Sequence, residues 1–516
     1  MTALRLCLFA MLALAAGAAR AETVLRIVPQ SDLRVLDPHV TQATVTRIYG
    51  LMVYDQLYAM DEGMRPHPQM VATSKVAADG VTYEFTLREG LRFHSGDPVT
   101  SADVIASIPR AAKQDPLLQL LMKRQTKLEA VDARTFRITF SKPFPLIESA
   151  LGASDSFIMR KQEIDAAGDK PITTTNGSAP FRFDSSRYVP GAHIAFTRNA
   201  DYAPRNEPAN GLAGGKVVKV DRVEWVVIPD LPTRIGALEQ GQVDLLDQLP
   251  HDGVQMLANR KDVTVEVISP LGNMAFLRYN TLFPPFNDVR ARQALALLVN
   301  QKDYLSAAFT TDQRWWSECY SWFGCGTPNE TDVGSAPYRK PDPEKARILL
   351  DQAGYRGEKI VILTTQEIPL IDALAQVTAS ELRSIGVNVD VQTSDWGTLV
   401  VRRARQVAPD ANGWSIFDSG ADITALAEPA TNILIDMRCD RQNYVGWPCS
   451  DRVEQMRTDL IDNPSRNALE AYSQALWTEL PSLLLGKFLQ PIAYRKVVSG
   501  LPHGQTLVFW NTEKRE

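Results

Sequence analysis

The pattern of apolar and polar positions changes character along the chain. Residues 25–28 form a short apolar strand, and the spacing over residues 44–58 predicts an amphipathic helix. A β-rich block follows: residues 82–88 alternate one by one, and so do residues 135–140 after a tight Asp-Ala-Arg connection. Between these strands, Thr100-Ser-Ala-Asp103 opens a helix as a capping box closed by aspartate. From residue 217 the order becomes strand, helix, glycine, strand. Residues 223–228 read as a strand, 233–240 as a helix stopped by Gly241, and 243–246 as the next strand. The same order recurs with a helix at 344–353, Gly354, a strand at 360–364, a helix at 371–385, Gly386 and a strand at 387–391. Two separate α/β regions of this kind predict two lobes with parallel sheets and crossover helices. A ligand would then sit at strand carboxyl ends, in the cleft between the lobes.

The first residues set the expected compartment. Arg5 precedes an apolar run over residues 6–16, and Ala19-Arg20-Ala21 presents small residues where a signal peptidase reads. A cleavable leader over residues 1–21 is expected, giving an exported, periplasmic protein. Its removal takes away Arg5 and Arg20 and no acid, so the net charge moves from −5 to −7. No basic tract remains, which argues against nucleic acid as a partner.

Four cysteines remain after cleavage: Cys319, Cys325, Cys439 and Cys449. An even set in an oxidising compartment reads as disulfides with three possible connectivities, of which the two local pairings are favoured. A zinc site needs tighter spacing and nearby histidines, and the six histidines are scattered at 39, 67, 94, 193, 251 and 503. No metal or other cofactor is expected. Catalytic signatures are also missing: there is no G-x-S-x-G and no H-E-x-x-H. Residues 211–216 end in Gly-Gly-Lys without phosphate-loop spacing and read as a surface turn, and His94 reads as a structural hydrogen-bonder. Six of the nine tryptophans (315, 316, 322, 396, 414 and 447) fall in one quarter of the chain, where aromatic faces would line a pocket or fill a core.

Residues 79–104, from Asp79-Gly-Val-Thr-Tyr to Ser101-Ala-Asp-Val104, closely resemble the signature of family 5 extracellular solute-binding proteins. Leu36-Asp-Pro-His39, Asn176-Gly-Ser-Ala-Pro-Phe181 and the block over residues 279–294 are similar to further segments of that family, in order and spacing. The resemblance implies a two-lobed "Venus flytrap" of α/β class with an added β-rich domain. Residues 22–60, 178–268 and 488–516 would form the first lobe, 61–177 the added domain and 269–487 the second lobe. Crossings near 268–272 and 485–490 would act as the hinge.

The implied function is capture of a peptide or amino-acid-derived solute and its delivery to an inner-membrane ABC permease, by a monomer that makes and breaks no bond. A nickel chelate, opine, oligosaccharide or haem is the alternative cargo, and an exported hydrolase the alternative class. In the family's peptide binders a tryptophan followed seven residues later by an arginine lies in the ligand-binding lobe. Trp396 and Arg403 stand at that spacing, with Arg402 beside them, ready to pair with a substrate carboxylate. The family's W-x-A-D-Y-x-x-P segment holds the peptide's free amine. Here it reads Asp418-Ser-Gly-Ala-Asp422 through to Pro429, without the tryptophan, leaving Asp418 or Asp422 to serve from a shifted loop. On the first lobe, Ser31 and Asp32 follow the opening strand. Trp315 and Trp316 would face the cleft on a loop stiffened by the Cys319–Cys325 pair.

Overall fold

The computed structural model describes residues 22–41, 43–309 and 312–515, so the expected leader lies outside the described residues. The chain builds two large mixed sheets. The first runs in the order Val263–Glu266, Ile492–Arg495, Leu245–Leu246, Val24–Val28, Arg222–Val226, His193–Arg198, Phe181–Phe183. Only its middle is parallel: Val24–Val28 pairs in parallel with Arg222–Val226 and with Leu245–Leu246. The second runs Trp316–Ser317, Leu483–Phe488, Asn273–Tyr279, Ile416–Asp422, Ile360–Thr364, Val389–Thr393. Here Asn273–Tyr279 is antiparallel to both neighbours, while Ile360–Thr364 is parallel to Val389–Thr393. The strand–helix–glycine grammar marks the parallel units, and the antiparallel pairs join either near neighbours, as Phe181–Phe183 with His193–Arg198, or segments distant in sequence, as Asn273–Tyr279 with Leu483–Phe488.

Local chemistry explains where the helices start. Asp230 accepts from the Thr233 amide to cap Leu231–Glu239, Asp395 accepts from the Thr398 amide to cap Trp396–Arg403, and Thr100 and Asp103 form the expected reciprocal box. The helix expected over 44–58 is Thr44–Val53 and ends sooner. Two residues on, the Asp55 carboxylate is drawn into the interior. There it meets Lys216 Nζ at 2.8 Å, neither side chain having any exposure, and Tyr202 Oη at 2.9 Å. A buried charge needs such a partner, and Lys216 also lies over the Trp510 ring at 4.9 Å. Residues 211–216 are therefore a buried ionic anchor and not a surface turn. His94 Nε2 meets the Ala179 carbonyl at 3.1 Å, and burial pushes its pKa down to about 4.

The added domain is a four-stranded antiparallel sheet, Val71–Val76, Thr82–Leu87, Thr135–Phe140, Gln125–Ala130, packed by the helices Ser101–Ala111 and Pro116–Arg124 around its own core. The chain passes between the two large sheets twice, from Glu266 to Asn273 and from Phe488 to Ile492. Phe488 itself pairs with Asn273 and belongs to the second sheet, so the return crossing comes slightly later than expected. At Gly272 the two crossing segments touch. Its φ is +63°, and a Cβ there would lie 2.4 Å from the Phe488 carbonyl oxygen, so a side chain would push the crossings apart.

Candidate functional site

The second lobe offers an unfinished strand. Ile416–Asp422 pairs with Asn273–Tyr279 along all seven residues, but its pairing with Ile360–Thr364 stops at Leu363 opposite Phe417. From Asp418 to Asp422 one backbone edge therefore faces no strand among the described residues. Half of the amides and carbonyls in this stretch point to that side. Gly420 is exposed, Ala421 half-buried and Ser419 8 % exposed, so the strand itself carries only small side chains between its two aspartates.

Charged groups stand at both ends of this edge. At its base, the Arg403 guanidinium lies 5.0 Å from the Phe417 ring centre, 5.2 Å from Trp396 and 6.0 Å from Tyr444. It has no carboxylate partner among the described residues, and the rings fix it by cation–π attraction. Arg402 turns away: its guanidinium donates to the Asn412 and Gly413 carbonyls and ties down the following loop. The structure thus puts the two neighbouring arginines in different surroundings. At the other end Asp422 closes the strand and caps the short helix Ile423–Leu426, accepting from the Thr424 amide at 2.9 Å and hydroxyl at 2.8 Å. Burial raises its pKa, the two Thr424 hydrogen bonds oppose this, and so does the charge of Arg47 on the first lobe. Asp418 points elsewhere. It is 1 % exposed inside the lobe, accepts from Thr378 Oγ1 at 3.1 Å, and its Oδ2 has no partner. Burial pushes its pKa up to about 8, the Thr378 bond opposing, so it is protonated at neutral pH.

On the first lobe the parallel strands end at Val28 and Leu246, and the residues just beyond them are Gln30 and Asp247. The Gln30 amide donates to Asp247 Oδ2 at 3.3 Å, and the buried Gln30 Nε2 has no acceptor. Burial pushes Asp247 up to about 6, against hydrogen bonds from the Gln30 and Gln248 amides and the charge of Arg234. The candidates Ser31 and Asp32 lie one step further out. Ser31 is exposed, and Asp32 is engaged with the Gly191 amide and Arg34 Nε. Counting to the strand's end, and not to the next polar pair, is the signal that would have found Gln30.

The lobes meet in this structure. His251 of the first lobe stands 5.8 Å from the Trp315 ring, edge to face, and 5.0 Å from Phe309. Trp315 is 8 % and Trp316 6 % exposed, and both belong to the second lobe's core. Trp315 also meets the first lobe through His251, and its carbonyl accepts from the Leu489 amide in the return crossing. Trp316 sits in the edge strand opposite Phe488. Both local disulfides form, Cys319–Cys325 and Cys439–Cys449. Among the described residues no group of three or more His, Cys, Asp or Glu side chains is placed to hold a metal ion, and no helix is long and apolar enough to cross a membrane.

Two α/β lobes on a two-stranded crossing, with a charged and partly unsatisfied strand edge between them, have the architecture of a periplasmic binding protein. The chain belongs to the bacterial extracellular solute-binding proteins, family 5, whose middle region matches residues 65–427. It is 38 % identical over 491 residues to the "Probable peptide ABC transporter periplasmic-binding protein y4tO" of Sinorhizobium fredii, covering 94 % of this chain and 92 % of that one. Among solved structures it is similar to AgaA from A. tumefacien R10 in complex with agropinic acid, with a TM-score of 0.75, 22 % identity, and coverage of 96 % of this chain and 99 % of that one. It is also similar to the dipeptide-binding protein of pseudoalteromonas sp. SM9913 in complex with Met-Leu, with a TM-score of 0.73, 19 % identity, and coverage of 95 % and 100 %. Proteins of this family bind solutes and are not enzymes.

Proposed function

We propose that this protein is the periplasmic binding component of an ABC importer and captures a short peptide or a peptide-like amino-acid derivative. The observation that carries the reading is the open backbone edge of Asp418–Asp422 between Arg403 and Asp422. An extended ligand adds to such an edge as a short strand, taking main-chain hydrogen bonds that do not depend on its side chains. At about 3.3 Å per residue the edge spans roughly 13 Å, room for two to four ligand residues. The ligand carboxylate pairs with Arg403 and its amine with Asp422 and the carbonyls beside it. Across the cleft, Gln30 Nε2 is a donor waiting for an acceptor and Asp247 an acceptor for a ligand N–H. Contacts to both lobes favour the closed state, because a ligand shifts an equilibrium only by its differential affinity. Delivery to an inner-membrane permease is supported by the family and by the name of the 38 % identical relative, and a cleavable leader and a monomeric state complete the reading.

A second reading has one observation in its favour. The tryptophan of the family motif is missing from residues 418–429, so the edge is open enough for an amino acid substituted on its nitrogen, such as an opine. Thermal-shift measurements with di-, tri- and tetrapeptides, their N-acetyl and C-amide forms, and opines separate the two. A micromolar ligand at millimolar concentration adds about 4 kcal/mol of stability. Stabilisation by free peptides, lost on amidation and on acetylation, is expected; loss on amidation alone selects the opine reading. Shifts with sugars or metal chelates only would overturn both.

A further inference from the structure

One inter-lobe contact lies outside the ligand cleft and is built only of charges. Asp462 is the last residue of the second-lobe helix Asp451–Asp462. Its Oδ1 is 2.5 Å from Arg124 Nη1, and its Oδ2 receives Lys142 Nζ. Both cations belong to the added β-rich domain: Arg124 ends the helix Pro116–Arg124 and Lys142 follows the strand Thr135–Phe140. Arg124 and Asp462 are each 15 % exposed, Lys142 51 %.

Local structure does not account for the aspartate. A carboxylate in the last turn opposes the helix dipole, a cost of about 0.3–1 kcal/mol that its own lobe does nothing to offset. The cations, by contrast, are prepared in advance. Arg124 favours the carboxyl end of its helix and lies 5.7 Å from the Phe144 ring of its own domain. When the lobes separate, the domain keeps two cations facing one distant anion, and both sides regain water. The contact therefore acts in the closed state and is lost in the open one. A second contact runs beside it: Ala430 of the second lobe packs on the added domain's core.

We propose that Asp462, Arg124 and Lys142 form a latch that sets how far the ligand-free protein is closed, and with it the affinity of a cleft that none of the three touches. The reading rests on lobe closure as the binding step but not on which solute is bound. Apparent affinity scales with the fraction of molecules already in the binding-competent state, so a residue remote from the ligand tunes it. Being partly exposed, the latch is screened by salt, and closure of the free protein weakens as ionic strength rises.

The test needs no ligand. Cysteines at the exposed positions Val189 in the first lobe and Ile348 in the second (Val189→Cys, Ile348→Cys) carry a dye pair, and single-molecule energy transfer reads the open and closed populations. Asp462→Lys should raise the open:closed ratio roughly tenfold, equivalent to about 1.4 kcal/mol. Asp462→Asn should do so by less, and the exchange Asp462→Lys with Arg124→Asp should restore part of the closed population. Moving from 0.15 to 1 M NaCl should open the parent protein and leave Asp462→Asn nearly unchanged, on the order of a Debye length of 8 falling to 3 Å. Equal populations in all variants, or one fixed distance throughout, would overturn the latch. Either result leaves the peptide-like cargo to be judged by the thermal-shift measurements alone.

Discussion

Asp418 sits in the strand that carries the open edge, yet its carboxyl is turned into the lobe interior and protonated at neutral pH. Its pKa of about 8 in the folded chain stands against an ordinary 3.8, with burial the cause. Between those two values the unfolded chain gives up the proton while the folded chain keeps it, so stability falls as pH rises. The contribution is full below about 4 and is lost as pH climbs through 8, at about 1.4 kcal/mol per pH unit. From 3.8 to pH 7 this amounts to at most about 4 kcal/mol. Asp418→Asn removes the proton and keeps the shape. The Thr378 hydroxyl donates to the amide oxygen as it does to Oδ1, and the amide nitrogen takes the place of an oxygen that already lacks a partner. Urea unfolding of the parent and the variant from pH 4.5 to 8.5 measures the difference. The variant should match the parent near pH 4.5 and gain steadily above it. At about 2–4 °C per kcal/mol for a unit of roughly 200 residues, its melting point at pH 7 should lie on the order of 10 °C higher. Ligand affinity should not move. Parallel stability curves would refute the reasoning, since they would mean a carboxyl ionised alike in both states; a lost affinity would return Asp418 to the ligand site.

Four further outcomes follow from the same structure. Arg403→Ala should weaken an anionic ligand by about 1.5–3 kcal/mol in isothermal calorimetry, the worth of a charge-assisted hydrogen bond, while Arg402→Ala leaves affinity in place and loosens the 404–413 loop. Lys216→Ala strands the Asp55 carboxylate in the interior and should cost about 3–5 kcal/mol in chemical denaturation. Replacing Cys319 and Cys325 by serine frees a six-residue separation and should cost about 2 kcal/mol of thermal stability without loss of binding. Gly272→Ala forces the crossing segments apart, and should lower affinity more than it lowers stability.

Much of the architecture was legible because it is written locally. Glycines 241, 354 and 386 stop helices with positive φ, capping aspartates start them, and the strands beside them read as apolar runs. The disulfides were legible from compartment and spacing. The site was legible only in part. Trp396 and Arg403 were marked by the family's spacing and do come together, while only the structure shows Arg402 turning to the Asn412 and Gly413 carbonyls. Asp418 and Asp422 were equivalent as letters and, four residues apart, share one face of the strand; the first meets Thr378 of the helix Pro369–Ser384 in the lobe interior, and the second stands at the strand's end as a helix cap. Trp315 and Trp316 are consecutive and both buried, yet Trp315 sets its ring against His251 of the first lobe while Trp316 lies in the edge strand opposite Phe488.

The sequence by itself determined the two α/β regions, the β-rich insert and the cysteine pairs. All of these depend on neighbours within a few turns of chain. Tertiary structure alone decided that Ile416–Asp422 loses its second partner after Phe417, that Gln30 and Asp247 share the facing rim, and that Asp462 closes on Arg124 across 338 positions of chain. Those contacts join segments from different domains. Their energies exist only once the chain has crossed twice between its sheets, so no local pattern can carry them.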